Sequence, residues 1–384
     1  MRSIDLSSYS SETAGEIGGA VAAAVRSAVR ALDNGQLVVF PTETSYGLGA
    51  DATNPQAVNQ LLKYKSRRQG KPLSIAVSDQ AMAERYVELN DQARQIYQRW
   101  LPGPVTVVSP GRGAVASGVE SEFGTLGVRI PDYPLVLEIV RRLGRPITAT
   151  SANASGQARP YAILKLLARL TPARQRLLDL VLDAGQLPVN PPSTVIDTTL
   201  SAPVTLRAGK VAVSDAADWR LETFSPAETR QVAGRVVLRH WDRVVQAGLV
   251  IGLEGELGAG KTVFAQGVAE FLGIDEQLSS PTFIYAAEYA FRRHQASGQL
   301  YHLDMWKVDT RRIFDRLEVG RLAGPGRVLA VEWWNQVKAW WPASQAARVV
   351  VRIEPGQDQR RHLNITNSAV DRAVNHTSDT ARQP

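Results

Sequence analysis

Short apolar runs alternate with amphipathic stretches along most of the chain, which predicts an α/β protein. Helical spacing covers Ala14–Asp33 and stops at Asn34-Gly35, a good C-terminal cap. Gln36–Phe40 reads as a strand running into Pro41-Thr-Glu-Thr-Ser-Tyr-Gly-Leu-Gly49. Helical patterns at Pro55–Tyr64 and Asp79–Tyr97 enclose a strand-like Leu73–Val77, and Leu135–Leu143 reads as a further helix. Val105–Val108, Thr125–Ile130, Pro146–Thr150, Ser193–Asp197 and Val204–Arg207 read as strands.

Val213–Phe224 loses the pattern and reads as a linker. A fresh helix starts at Ser225-Pro-Ala-Glu228, where Ser225 suits the N-cap, Pro226 the first helical position, and Glu228 completes a capping box. Leu249–Leu253 is a short buried strand, and Thr262–Leu272 a helix that stops at Gly273. Apolar runs at Leu300–Trp306 and Val328–Trp334 carry Asp304 and Glu332 near strand ends. The expected organisation is a first domain at 1–212, a linker at 213–224, a second domain at 225–365, and a disordered polar tail at 366–384.

A length of 384 residues with 44% apolar content suits two or three domains with sizeable cores. No cysteine is present, so disulfides and thiolate chemistry are excluded. The five histidines all follow residue 239, so the first half cannot use a histidine base. The net charge of +7 favours anionic partners such as nucleotides, RNA or acidic protein surfaces. The Ala-rich run Ala20–Leu32 contains Arg26 and Arg30, so it reads as an amphipathic helix and not as a signal or membrane span. A cytoplasmic protein without membrane contact is expected.

Gly255-Glu256-Leu257-Gly258-Ala259-Gly260-Lys261-Thr262 fits the phosphate-cradling pattern G-x-x-x-x-G-K-[ST] between a strand and a helix. The glycines let backbone N–H groups close around phosphate oxygens, and the helix N-terminus adds partial positive charge. Lys261 can reach the β- and γ-phosphates of a nucleoside triphosphate, and the Thr262 hydroxyl can hold Mg²⁺. Asp304 and Glu332 are candidates to hold Mg²⁺ directly or through water, or to orient an attacking water.

In the first half, cations and small polar residues recur at element ends: Lys65, Arg67 and Lys71; Thr125 and Arg129; Ser151 and Asn153; Ser193 and Arg207. Each alone reads as a solvated surface group, but jointly they suit one anion site. These residues lie within Pro41–Gly49, Lys65–Arg67 with Lys71-Pro-Leu73, Leu101-Pro-Gly-Pro-Val-Thr106, Gly127-Val-Arg-Ile-Pro131, Ser151–Asn153 with Ser155-Gly156, and Pro192–Asp197. In that order, over about residues 15–212, they resemble the YrdC/TsaC family of threonylcarbamoyl-adenylate synthases. The sequence departs from the family pattern at Arg68, where many members have proline, and at Ala76, near a histidine in some members. The resemblance implies a twisted mixed sheet with a cationic cleft. It implies that L-threonine, bicarbonate or CO₂, and ATP combine to threonylcarbamoyl-AMP and pyrophosphate. Lys65, Arg67, Lys71, Thr125, Ser151, Asn153 and Arg207 would then hold ATP, with Lys65 and Arg67 acting in catalysis. Thr42, Tyr46, Arg129 and Ser193 would hold threonine. A cationic cleft without a histidine suits catalysis by positioning and charge neutralisation.

The second half resembles the ATPase TsaE over about residues 225–365, on Gly255–Thr262, Ser280-Pro-Thr-Phe283, His302–Asp304 and Glu332-Trp333. It departs at Val263, where the family often has a second threonine. This implies a mostly parallel sheet, Mg²⁺ on Thr262 and Asp304, hydrolysis supported by Glu332, and work with TsaD- and TsaB-type proteins that modify tRNA. The chain then reads as a fusion of two enzymes of threonylcarbamoyladenosine formation, with tRNA met through the transferase. Two other readings stay open: a basic RNA-binding module fused to a phosphate-loop ATPase, and a kinase regulated by the first half. The aromatic share of 7% offers no clear stacking platform for RNA.

Overall fold

The computed structural model describes residues 1–8, 19–65, 73–154, 157–212, 218–276, 278, 285–294 and 296–367. Arg67, Lys71, Ser155-Gly156, Ser280–Phe283 and the tail from residue 368 lie outside them. The chain forms two compact units. One comprises Met1–Thr199 with Pro203–Ser214, and the other comprises Leu200–Ala202 and the chain from Asp215. Among the described residues, no helix is long and apolar enough to cross a membrane.

The first unit is α/β, but its strands divide into two mixed sheets. One has the order Arg2–Asp5, Leu180–Asp183, Val38–Phe40, Gly47–Gly49, Thr150–Ser151; the other has Val204–Arg207, Thr194–Asp197, Val105–Pro110, Thr125–Arg129, Ser74–Ala76, Ile147–Thr148. The single strand expected at Pro146–Thr150 is therefore broken at Ala149. Ile147–Thr148 pairs with Ile75–Ala76 in one sheet, and Thr150–Ser151 pairs with Gly47–Leu48 in the other. This crossing run brings Ser151 beside the strand that leaves the Pro41–Tyr46 turn, with Ser151 opposite Gly47. The helix expected over Asp79–Tyr97 is two helices, Gln80–Ala83 and Asp91–Trp100. Their N-caps explain the break, because the side chains of Asp79 and Asn90 accept from Met82 N and Ala93 N. A common apolar core includes Val39, Phe40, Leu61, Ile75, Val107, Val128 and Ile139.

The second unit is one seven-stranded sheet: Trp219–Thr223, Arg361–Asn367, Ala347–Pro355, Leu249–Glu254, Arg327–Glu332, Ala296–Asp304, Ala286–Arg293. The four strands from Ala347–Pro355 to Ala296–Asp304 in this order are parallel, whereas the flanking pairings are antiparallel. Two flanking pairs, Ala286–Arg293 with Ala296–Asp304 and Ala347–Pro355 with Arg361–Asn367, are hairpins with short connections, whereas Trp219–Thr223 pairs with Arg361–Asn367 from the far end of the unit's sequence. Trp219–Thr223 was expected in a patternless linker, yet it is an edge strand with Trp219, Leu221 and Thr223 buried. Its period-two alternation of apolar and polar residues runs for only five positions, so it was easily read as loop. Its partner strand extends through Asn367, past the expected tail boundary at Thr366. Ser225 caps the helix Pro226–Arg239 by accepting from Glu228 N, and Gly273 closes the helix Lys261–Leu272 at φ 77.

Candidate functional site

In the second unit the buried strand Leu249–Glu254 leads into the glycine loop, and the helix Lys261–Leu272 starts directly from its end. Gly255, Gly258 and Gly260 take φ values of 153, 78 and 111, open to glycine at little cost. A Cβ on Gly255 would stand 2.4 Å from the Ile353 carbonyl oxygen. Glu254, at the loop's root, is held by Lys338 and Arg352, each at 3.1 Å. Leu257 is 85% exposed at the loop tip.

Lys261 is buried, donates to the Gly255 and Glu256 carbonyls at 2.9 and 2.8 Å, and lies 3.9 Å from the centroid of the Trp333 ring. Burial pushes its pKa down, against the opposing pull of the Glu332 and Asp304 carboxylates. The Thr262 hydroxyl donates to Glu332 Oε1 at 2.9 Å, and His302 Nε2 lies 2.8 Å from the same oxygen. Asp304 and Glu332 end neighbouring parallel strands and pair in register. Lys261, Thr262, Asp304 and Glu332 are thus drawn around one loop. The sequence reading assigned no role to His302, which is fully buried, to Trp333, or to Arg361, whose Nε donates to the Ala259 carbonyl at 3.2 Å. The spacing of His302 two residues before Asp304 on a strand was the available signal for the first, since it puts both on one face.

The first unit assembles its polar groups from distant segments. Tyr64 and Lys65, closing the helix Pro55–Lys65, reach the Ser151–Asn153 run: Tyr64 Oη donates to Ala152 O at 2.5 Å, and Lys65 Nζ donates to Ser151 O at 2.7 Å and Asn153 O at 2.6 Å. Asn153 Oδ1 is buried without a partner among the described residues, so it stands as an open acceptor. Ser193 Oγ lies 3.1 Å from Thr106 Oγ1 and accepts from Arg207 at 2.9 Å, so the expected Ser193 and Arg207 do meet. Arg129 forms a part-buried ion pair with Glu43, a residue given no role from sequence. Asn190 Nδ2 donates to the Glu43 carbonyl at 2.9 Å and so ties a proline-flanked loop to the turn.

The hydroxyls of three expected site residues have partners within the fold. Tyr46 is fully buried, and its hydroxyl lies 2.7 Å from the Gly185 carbonyl, 3.1 Å from Asp183 Oδ1, and accepts from Ala184 N. These bonds tie it to the Asp183–Gly185 run, and burial pushes its pKa up. The Thr42 hydroxyl donates to the Ser45 carbonyl at 2.6 Å and accepts from the amides of Thr44 and Ser45, so it shapes the turn. Thr125 shares a strand with Arg129 but stands four residues away, roughly 13 Å along it. Its hydroxyl meets Ser121 Oγ at 2.7 Å.

Among the described residues, no cluster of three or more histidines and carboxylates suits a metal. The arrangement defines a class: an α/β protein with a phosphate loop in one unit and Lys, Arg, Ser and Asn side chains gathered at strand and helix ends in the other. The Sua5/YciO/YrdC family model, described as "Telomere recombination", matches residues 30–209, and the model for "Threonylcarbamoyl adenosine biosynthesis protein TsaE" matches residues 225–363. The threonylcarbamoyl-AMP synthase of Serratia proteamaculans is 42% identical over 131 residues, 33% of this chain and 69% of that protein. That of Pyrococcus abyssi is 33% identical over 182 residues, 47% of this chain, and the chain spans 52% of that longer protein. A crystal structure of P. abyssi Sua5 complexed with L-threonine is similar at 22% identity and a TM-score of 0.46, over 80% of this chain and 88% of that one. The chain belongs to the Sua5/YciO/YrdC family and continues into a TsaE unit.

Proposed function

We infer that the chain serves tRNA threonylcarbamoyladenosine formation with two ATP-using activities. The first unit joins L-threonine, bicarbonate or CO₂, and ATP into threonylcarbamoyl-AMP and pyrophosphate. The second hydrolyses ATP in support of a TsaD–TsaB-type transferase, which meets the tRNA. The observation carrying this reading is the tandem match, in one chain, of the two families.

The geometry supports it. Lys65, Ser151 and Asn153 would be joined at ATP by Arg207, which donates to Ser193, while Arg129 and Ser193 would supply a cation and a hydroxyl for threonine. Arg67 and Lys71 are proposed for ATP from the family pattern. Bringing two anions together is the central difficulty of this reaction, and fixed cations act on it by neutralising charge without reorganisation. In the second unit Gly255–Thr262 would hold the phosphates of ATP. Thr262, Asp304 and Glu332 offer a hydroxyl and two buried carboxylates, a hard oxygen set that fits Mg²⁺ completed by phosphate and water. Mg²⁺ there would neutralise phosphate charge. The His302 contact holds Glu332 in one orientation for water or metal.

The test is pyrophosphate and phosphate release by the purified chain with and without L-threonine plus bicarbonate, in wild type and Lys261→Ala. Threonine-dependent pyrophosphate that survives Lys261→Ala is expected. Its absence, with only threonine-independent phosphate, overturns the assignment of the first unit.

A further inference from the structure

We propose that Glu43 recognises the α-ammonium group of the amino-acid substrate, beside the Arg129 that the family resemblance already assigns to threonine. This rests on L-threonine being the substrate of the first unit. Glu43 lies in the turn between strands Val38–Phe40 and Gly47–Gly49, and Arg129 ends the strand Thr125–Arg129 of the other sheet. Side-chain exposures of 9% for Arg129 and 17% for Glu43 make this a pair removed from water.

The pair is joined through one leg only. Arg129 Nη2 donates to Glu43 Oε1, while Arg129 Nε and Glu43 Oε2 are both buried without a partner among the described residues. A structural arginine–carboxylate pair ordinarily closes both legs. Leaving one donor and one acceptor bare costs each its lost hydration. A ligand that brings an acceptor and a donor together satisfies both at once. An α-amino acid zwitterion does so, its carboxylate to the guanidinium and its ammonium to the carboxylate, and it adds no net charge to a neutral pair.

The surroundings suit such a ligand. Gly127, two residues before Arg129 on the same face, has no side chain, and a Cβ there would crowd Ser74 Oγ and Thr106 Cγ2 at 3.0 and 3.1 Å. Thr106 in turn meets Ser193, so hydroxyl groups line the neighbourhood. The Asn190 bond to the Glu43 carbonyl ties down the turn's backbone. A simpler role is that Glu43 only neutralises Arg129. The two roles differ in what they do to a ligand without an amine. Such a ligand brings an uncompensated carboxylate up to Glu43 and is repelled.

The experiment is calorimetric binding of L-threonine and of 3-hydroxybutyrate, which lacks the amine, to the full chain. Wild type should prefer L-threonine by about tenfold or more, as for a lost charge-assisted contact. Glu43→Gln should weaken L-threonine by about tenfold and leave 3-hydroxybutyrate unchanged or tighter, so that the preference collapses toward one. Glu43→Asp, which keeps the charge, should retain the preference at lower affinity and covers the case in which Glu43→Gln fails to fold. Equal weakening of both ligands, or no change in either, overturns the proposal. Wild-type threonine-dependent pyrophosphate release separates the two readings. Its absence overturns the substrate assignment, whereas its presence with an unmoved preference overturns only the role of Glu43.

Discussion

The phosphate site of the second unit draws on one continuous loop, Gly255–Thr262, plus two strand ends. The site proposed for the first unit draws on Glu43, Lys65, Thr106, Arg129, Ser151–Asn153, Ser193 and Arg207, spread over more than half of that unit's length. In the loop, backbone geometry does the work: glycines at positive φ and a helix start place amides with no side chain to arrange. In the first unit each polar group must be held by another, as Lys65 is by two carbonyls and Arg129 by Glu43. A contiguous site tolerates neighbours changing. A dispersed site is coupled to the packing of its two sheets, so its substitutions should strike stability and ligand binding together.

The strongest break of this contrast is Arg129→Ala. It strands the buried Glu43 carboxylate and should cost about 3–5 kcal/mol in denaturant unfolding, together with loss of threonine-dependent turnover. Lys261→Ala should reduce phosphate release by about 10²–10³-fold, as for loss of one preorganised charge, while leaving the first unit's midpoint unchanged. Because the folded pKa of Lys261 is depressed, its charged form opposes folding at neutral pH, so this variant should not lower the second unit's stability through charge. Gly252→Ala puts a Cβ 2.3 Å from the Trp334 ring beneath the loop and should cost about 1–3 kcal/mol by overpacking, read by thermal melting. Ser225→Ala removes a helix cap outside the phosphate loop and should cost only about 1 kcal/mol.

An alkaline titration sharpens the comparison further. Tyr46, Tyr64 and Tyr97 of the first unit all have pKa values raised by burial above the ordinary 10.0. Above that pH the unfolded chain loses protons that the fold retains, so stability is complete below pH 10 and falls as pH rises. In the second unit Tyr301 shows the same direction. The first unit should therefore melt earlier as pH climbs from 10 to 12, and circular dichroism melts at each pH would reveal equal losses if buried tyrosines were not responsible.

The glycine loop, its flanking strand and helix, the Ser225 cap and the Gly273 stop were all legible because their chemistry lies within a few residues of chain. The family-bearing runs of the first unit were legible as an order of short motifs. Short edge strands such as Trp219–Thr223 and Arg2–Asp5 were not, since a few alternating residues resemble loop until a partner strand is present. The break at Ala149 was equally hidden, because one apolar run can serve two sheets only when both exist.

Sequence alone determined the two-unit α/β organisation, the phosphate loop and the exclusion of cysteine and, in the first half, histidine chemistry, because composition and local spacing carry those directly. Tertiary structure alone decided that Tyr46 and Thr42 brace and shape the turn, and that Glu43 faces Arg129 across 86 residues of chain. A hydroxyl or carboxylate has no partner until packing supplies one. Burial then makes that partner matter, because water is no longer there to replace it.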